Sequence, residues 1–201
     1  MKIARVSLLL AAVLLCPVVA MAGTIIAPGS VWEYTFQNPT AGWNTTTGGW
    51  QTGAAPFGNC GIGCGYDQNF VYNTLWAADA ADGDDLWVRQ QVNLTGFDLS
   101  TIRWNLGVDN GFKLYANGVL VGSDNAEGFT YRWEYNGDFG AALHSGVNVI
   151  AVALEDHGGM TAFDMQMTGR EVPVDPVPEP ASLLLLGSGL VGFAARRRAK
   201  R

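Results

Sequence analysis

The sequence predicts one all-β domain, a β-sandwich, set between an apolar N-terminal segment and an apolar C-terminal segment that ends in basic residues. Three observations predict it. Ile102, Trp104, Leu106 and Val108 alternate with Arg103, Asn105 and Gly107, the period of two that buries one face of a strand. Asn117-Gly118, between Phe112–Ala116 and Val119–Val121, is a dipeptide that supplies the two positive φ angles of a type I′ hairpin turn. Between the apolar ends, no long stretch carries the period of an amphipathic helix.

Further strands follow from the same reasoning. Val31–Phe36, Phe70–Trp76, Phe129–Tyr135 and Thr161–Thr168 are short runs rich in aromatic and β-branched residues. Leu86, Val88, Gln90, Val92 and Leu94 repeat the alternation imperfectly, and Val147–Leu154 is apolar on both faces apart from Asn148, as a central strand is. About eight short antiparallel strands without an internal repeat predict a single sandwich of the jelly-roll kind.

The first 22 residues read as a secretory signal peptide. Lys2 and Arg5 form its positive start and Val6–Leu15 its apolar centre. Ala20-Met21-Ala22 is a small-x-small site, which places cleavage between Ala22 and Gly23. Cys16 raises the alternative of a lipid-modified cysteine, but Leu15 before it is bulky and Pro17 follows, so it is read as an apolar residue of the segment.

At the other end, Val177-Pro178-Glu179-Pro180 leads into Ala181–Ala195, and Arg196, Arg197, Arg198, Lys200 and Arg201 close the chain. As a helix, 181–195 spans about 22 Å against a hydrocarbon core of about 30 Å, a marginal membrane anchor. The basic cluster would remain on the cytoplasmic side, which places the preceding chain outside the inner membrane. This order of Pro-Glu-Pro, short apolar helix and basic tail resembles the PEP-CTERM sorting signal of Gram-negative bacteria that make extracellular polymers. The resemblance implies export, transient anchoring through the 181–195 helix and recognition by an exosortase, with Pro178, Glu179, Pro180, Arg196, Arg197 and Arg198 as the signal. The expected destination is the cell surface or extracellular matrix. An ordinary single-span anchor is the alternative.

Between the two signals, residues 23–176 form one domain. It carries five basic against seventeen acidic side chains, a formal charge of −12 that the whole-chain value of −6 conceals. Such a field repels phosphate backbones, so nucleic acid is not an expected partner; a neutral sugar or a divalent cation is compatible with it. Cys60 and Cys64 lie in Asn59-Cys60-Gly61-Ile62-Gly63-Cys64-Gly65. In an oxidising compartment these two predict a disulfide, since the spacing is not that of a CxxC site and no second ligand pair is near.

A second resemblance concerns the domain itself. Asp109-Asn110-Gly111-Phe112-Lys113-Leu114-Tyr115-Ala116-Asn117-Gly118, followed by Gly146-Val147-Asn148-Val149-Ile150-Ala151-Val152, resembles the pattern of galactose-binding-like jelly rolls. Gly53–Gly58 and Leu86-Trp87-Val88-Arg89 fit the same pattern. The resemblance implies a noncatalytic sugar-binding domain of the type attached to many glycoside hydrolases. Its motifs are mainly structural: Asn117-Gly118 makes a turn, and Gly146 with Asn148 shapes the start of a strand.

Catalytic signals are sparse. Glu155-Asp156-His157-Gly158-Gly159 joins acid, base and backbone freedom, and His157 has the chemistry of a proton shuttle, yet the same residues suit a polar strand end with a Gly-Gly turn. His144 is a lone loop histidine, and no GxSxG, HExxH or P-loop occurs. The expectation is therefore a protein that is not an enzyme, with a polysaccharide hydrolase as the rival reading. No cofactor is required. Asp79, Asp82, Asp84 and Asp85 crowd oxygen ligands around Gly83 as Ca²⁺ prefers, although Gln90 stands where an EF-hand loop places its Glu and a solvated acidic loop is the alternative.

Aromatic side chains supply the chemistry of sugar binding, because flat apolar rings stack on the C–H faces of sugars. Trp43, Trp50 and Trp76 sit in or beside Gly/Asn/Thr-rich loops, while Tyr131, Trp133 and Tyr135 would share one face of a strand. Trp50, Trp76, Tyr131 and Trp133 are the candidate stacking residues; burial in the core is the alternative for each. The functional expectation is an exported, exosortase-sorted protein that binds a carbohydrate or exopolysaccharide. A purely structural matrix protein is the remaining alternative.

Overall fold

The computed structural model describes residues 22–59, 71–78, 83–125, 132–172 and Arg196. Apart from Arg196 these fall in one compact unit, Val19–Val172. The predicted signal-peptide core, the Cys60–Cys64 pair, Asp79, Asp82, Tyr131, Pro178, Glu179, Pro180, Arg197, Arg198 and the 181–195 helix lie outside the described residues.

The unit is all-β, with twelve strands among the described residues: β1 (Ala22–Ile26), β2 (Val31–Thr35), β3 (Gln51–Ala54), β4 (Phe57–Gly58), β5 (Thr74–Leu75), β6 (Asp84–Asn93), β7 (Phe97–Asp109), β8 (Gly111–Ala116), β9 (Val119–Asp124), β10 (Tyr135–Asp138), β11 (Val147–Glu155) and β12 (Ala162–Glu171). They form two sheets. One runs β10-β7-β12-β4-β5 with β1 also on β12; the other runs β3-β2-β6-β11-β8-β9. Pairing is antiparallel except between β4 and β5.

The alternation that predicted β7 is the alternation that builds the core. Ile102, Trp104, Leu106 and Val108 are buried, while Arg103 is exposed. From the facing sheet come Trp32, Leu86, Val88, Leu114, Ile150, Val152 and Leu154. Aromatic edges join the two layers: Trp32 meets Phe163 at 5.5 Å, Tyr34 meets Phe57 at 5.3 Å and Phe112 meets Tyr135 at 4.9 Å between ring centroids. Each such pair adds about 0.5–1.5 kcal/mol to the burial of its rings. Gly137 is required opposite Trp104, because a Cβ there would lie 2.7 Å from the indole.

The Asn-Gly hairpin forms as expected between β8 and β9, with φ of 51° at Asn117 and 84° at Gly118. Its side chain does more than turn the chain. Asn117 Nδ2 donates to Ala142 O and Asn148 Oδ1, both at 2.8 Å, and Asn117 Oδ1 accepts from Val149 N at 2.9 Å. Asn148 is itself buried and donates to His144 O and Gly146 O while accepting from His144 N. The only polar residue of the apolar β11 run thus ties that strand to the neighbouring hairpin and to the loop before it.

Three expectations shift. β1, β3 and β4 are additional strands whose small or glycine-containing sequences carry little alternation. Of Phe70–Trp76, only Thr74–Leu75 is a strand among the described residues. The strand expected over Phe129–Tyr135 does not hold at its described end: Arg132 and Trp133 lie in a turn, Trp133 has φ of 63°, and β10 starts at Tyr135. A positive φ at an aromatic residue breaks the period of two, so Trp133 does not share a strand face with Tyr135.

Replacing Asn148 by Ala should destabilise the domain by about 3 kcal/mol, because it removes at once the four hydrogen bonds made by this buried amide. Chemical denaturation followed by tryptophan fluorescence measures it, and the loss should appear in the midpoint with the slope unchanged.

Candidate functional site

The loop from Phe36 to Trp50, between β2 and β3, lies against the outer face of the β3-β2-β6-β11-β8-β9 sheet. Residues of β6 that alternate with the core-facing Leu86 and Val88 point to that outer face, and Arg89 is one of them. Its neighbours across the sheet are Glu33 on β2 and Ala151 on β11, which in turn pairs with Tyr115 on β8. Ala151, with its single methyl, leaves room above the sheet between Arg89 and Tyr115.

The loop fills part of that room by binding Arg89. The guanidinium donates from Nε to Glu33 Oε2 at 3.0 Å, from Nη1 to Trp43 O at 3.0 Å and from Nη2 to Gly48 O at 2.7 Å. Glu33 Oε2 also accepts from Gly48 N at 2.7 Å. Arg89 is 4% exposed, and its planar group lies 3.7 Å from the centroid of Trp50. Trp43 is near-parallel to Trp50 at 6.0 Å and meets Tyr115 edge-on at 5.7 Å. A buried cation is therefore matched by a carboxylate, two carbonyls and an indole, the pairing that burial of charge requires.

Beside this knot opens a cleft of about 800 Å³, within the range of sites for small organic ligands. Tyr34, Phe36, Trp43 and Trp50 give it aromatic surface; Gln37, Asn38, Thr40, Thr46 and Gln51 give it neutral hydrogen-bonding groups. Arg89 is the charged residue of the lining, and Glu33 balances it. In a domain with seventeen acidic side chains, a lining of amides, hydroxyls and rings is a local departure from the surroundings.

The candidate stacking residues separate in this framework. Trp50 lines the cleft, half-buried, together with Trp43. Trp76 is 1% exposed and belongs to the core, so its face is not open to a sugar ring. Trp133 is half-buried in its turn, with the Arg132 guanidinium 4.9 Å from its ring centroid, remote in sequence from the cleft lining. Arg89 was not legible as a site residue. The signal that could have found it is an arginine directly after the apolar Leu86-Trp87-Val88, which needs a partner wherever it is buried.

The two described acidic candidates, Asp84 and Asp85, are engaged within the fold. Asp84 Oδ1 accepts from Lys113 Nζ at 2.8 Å, and Asp85 Oδ2 accepts from Asp156 N at 2.7 Å. Among the described residues no group of three or more His, Cys, Asp or Glu is arranged to hold a metal ion. Glu155 Oε1 accepts from Gly83 N at 2.9 Å and lies 3.3 Å from His157 Nε2, while His157 N donates to Asn110 Oδ1 at 2.7 Å. Asp156 is fully buried and Asp109 nearly so. Burial, and secondarily the Asp156 carboxylate, push the Asp109 carboxyl up to about 6. The cluster closes the strand ends with polar contacts, and none of its residues lines the cleft beside Arg89.

Residues 176–198 match the PEP-CTERM protein-sorting motif. No curated protein matches the chain. Among solved structures it is similar to a Lactobacillus rhamnosus β-glucuronidase, with 10% identity and a TM-score of 0.47 over 76% of this chain and 30% of that one. A Ruminococcus gnavus β-glucuronidase in complex with an N1-substituted uronic isofagomine gives 11% and 0.46 over 78% and 31%. A Bifidobacterium dentium β-glucuronidase complexed with coumarin-3-O-glucuronide gives 20% and 0.43 over 67% and 20%. The chain spans less than a third of the length of each.

The raised Asp109 carboxyl has a sign. The folded state holds this proton more tightly than the unfolded chain, so its stabilising contribution is complete below about pH 4 and is lost as pH rises through about 6. Asp109→Asn should remove that part of the pH dependence and raise stability at pH 7 by up to about 3 kcal/mol. Thermal melts of both forms from acid to neutral pH check it.

Proposed function

We propose that this is an exported, exosortase-sorted surface or extracellular-matrix protein whose sandwich, of the galactose-binding-like jelly-roll kind, binds carbohydrate in the cleft under the 36–50 loop without cleaving it. The sorting motif at 176–198 supports the delivery half of the reading. The observation that carries the binding half is the lining of the cleft, aromatic rings beside neutral amides and hydroxyls, with its one cation already matched. Sugars present both an apolar ring face and a fringe of hydroxyls, and rigid rings with a few fixed polar groups are what hold them. The Arg89 contacts fix Trp50 and the carbonyls of Trp43 and Gly48 before any ligand arrives, which lowers the ordering cost of binding.

The hydrolase reading has less support. Asp109 and Asp156 are buried, and Glu155, held by Gly83 and His157 at the strand ends, does not line the aromatic cleft. A hydrolysis assay run on every glycan that binds tests it directly; turnover abolished by Glu155→Gln would replace the binding reading with an enzymatic one.

Glycan-array binding identifies the ligand, and Trp43→Ala should then weaken binding by about 1–3 kcal/mol while the described core remains folded. Affinity and thermal unfolding measured on the same preparation separate a ring that touches sugar from one that only props the loop. Processing has its own readout: protein recovered from the producing cells should begin at Gly23 and lack the segment beyond Pro180, as intact-mass analysis would show.

A further inference from the structure

The aromatic cleft does not end at the loop. Phe36 and Asn38 also line a second depression of about 540 Å³, whose floor includes Trp87 and whose rim includes Leu75. Asp84 links the second depression to a third, of about 450 Å³, lined by Lys113, Ser123, Asp124 and Glu155. Strand register explains the path. Thr35, Trp87, Ala153, Lys113 and Ser123 are successive neighbours across β2, β6, β11, β8 and β9, so the depressions follow one row over the outer face, perpendicular to the strands. Four interstrand steps give a furrow of about 19 Å. Leu75 and Phe36 keep apolar surface exposed along it.

Its charge is as informative as its length. Arg89 is matched by Glu33 and Lys113 by Asp84, the latter at 2.8 Å. Asp124 and Glu155 add further negative charge to the lining. A chain of uronic acids would bring one negative charge per unit into this row, inside a domain of net charge −12. A neutral sugar meets no such penalty.

We propose that the furrow holds an internal stretch of a polysaccharide whose units carry no acidic group, lying across the strands from the Trp43/Trp50 cleft to the Ser123 edge. The proposal rests on the carbohydrate-binding reading above and adds to it the length and charge class of the ligand. Titration calorimetry of the protein recovered from its producing cells tests it, with cello-, xylo- and laminari-oligosaccharides from dimer to hexamer and with the galacturonate hexamer. In at least one neutral series the affinity should rise about tenfold or more from dimer to hexamer, and the galacturonate hexamer should not bind. Ser123→Trp, at an exposed position, should return the neutral hexamer to the affinity of the dimer. Asp124→Lys, also exposed, should let the galacturonate hexamer bind, and it keeps the test decisive if the tryptophan variant fails to fold. A neutral hexamer no tighter than the dimer, or a galacturonate hexamer as tight as the neutral one, overturns the proposal while the carbohydrate-binding reading stands. Absence of binding to any of these glycans and to a wider array overturns both.

Discussion

A buried guanidinium on the outer face of a sheet is the constraint around which the cleft beside the 36–50 loop is organised. Arg89 points away from the core, yet it is almost fully covered, and a covered cation without partners would cost several kcal/mol. The chain meets that requirement with Glu33 from the adjacent strand and with two carbonyls that only the 36–50 loop can bring. The loop is consequently held by the need to satisfy charge rather than by an apolar core of its own. Removing Glu33 or the loop carbonyls would leave the guanidinium buried and unmatched, so the cleft and the stability of this face rise or fall together. The arrangement also consumes the cation: Arg89 shapes the site and aligns Trp50, but has little charge left to offer an acidic ligand.

The opposite ends of the strands show the same rule with different groups. Asn117 and Asn148 satisfy one another and the backbone around the β8–β9 hairpin, without ionised groups and therefore without a large desolvation cost. Asp109 and Asp156 are buried close together, and the result is a carboxyl pushed up to about 6. Asp164, buried on β12, also has its carboxyl raised by burial, although Gly29 N and Arg132 hold it in part. Fold stability is thus given up at the acidic positions and kept at the amide ones.

The parts of the fold that were legible in the sequence are those where one side chain after another repeats a physical requirement. The β7 alternation, the two-sided apolar β11 and the Asn-Gly turn each carry their structure in local pattern, and all three form as expected. β3 and β4 do not, because Gln51–Ala54 and Phe57–Gly58 are strands by virtue of their neighbours' hydrogen bonds rather than their own side chains. The site was legible only in part. Trp50 was visible as a loop aromatic, but sequence could not separate it from Trp76, which lies as close to a loop and is nonetheless core. Arg89 was invisible as a site residue because its role depends on Trp43 and Gly48, more than forty positions away.

These observations leave a domain with four kinds of tryptophan: Trp32, Trp76 and Trp104 packed in the core, Trp87 on the furrow floor, Trp43 with Trp50 at the cleft, and Trp133 in its turn. The most direct test of the account is to follow all the indole N–H signals by two-dimensional NMR while a neutral polysaccharide fragment is added. The account predicts that the Trp43 and Trp50 signals move with a common saturation curve, that Trp87 follows, and that Trp32 and Trp76 stay in place. Saturable shifts confined to Trp133, or binding that leaves Trp43 and Trp50 unmoved, would contradict it.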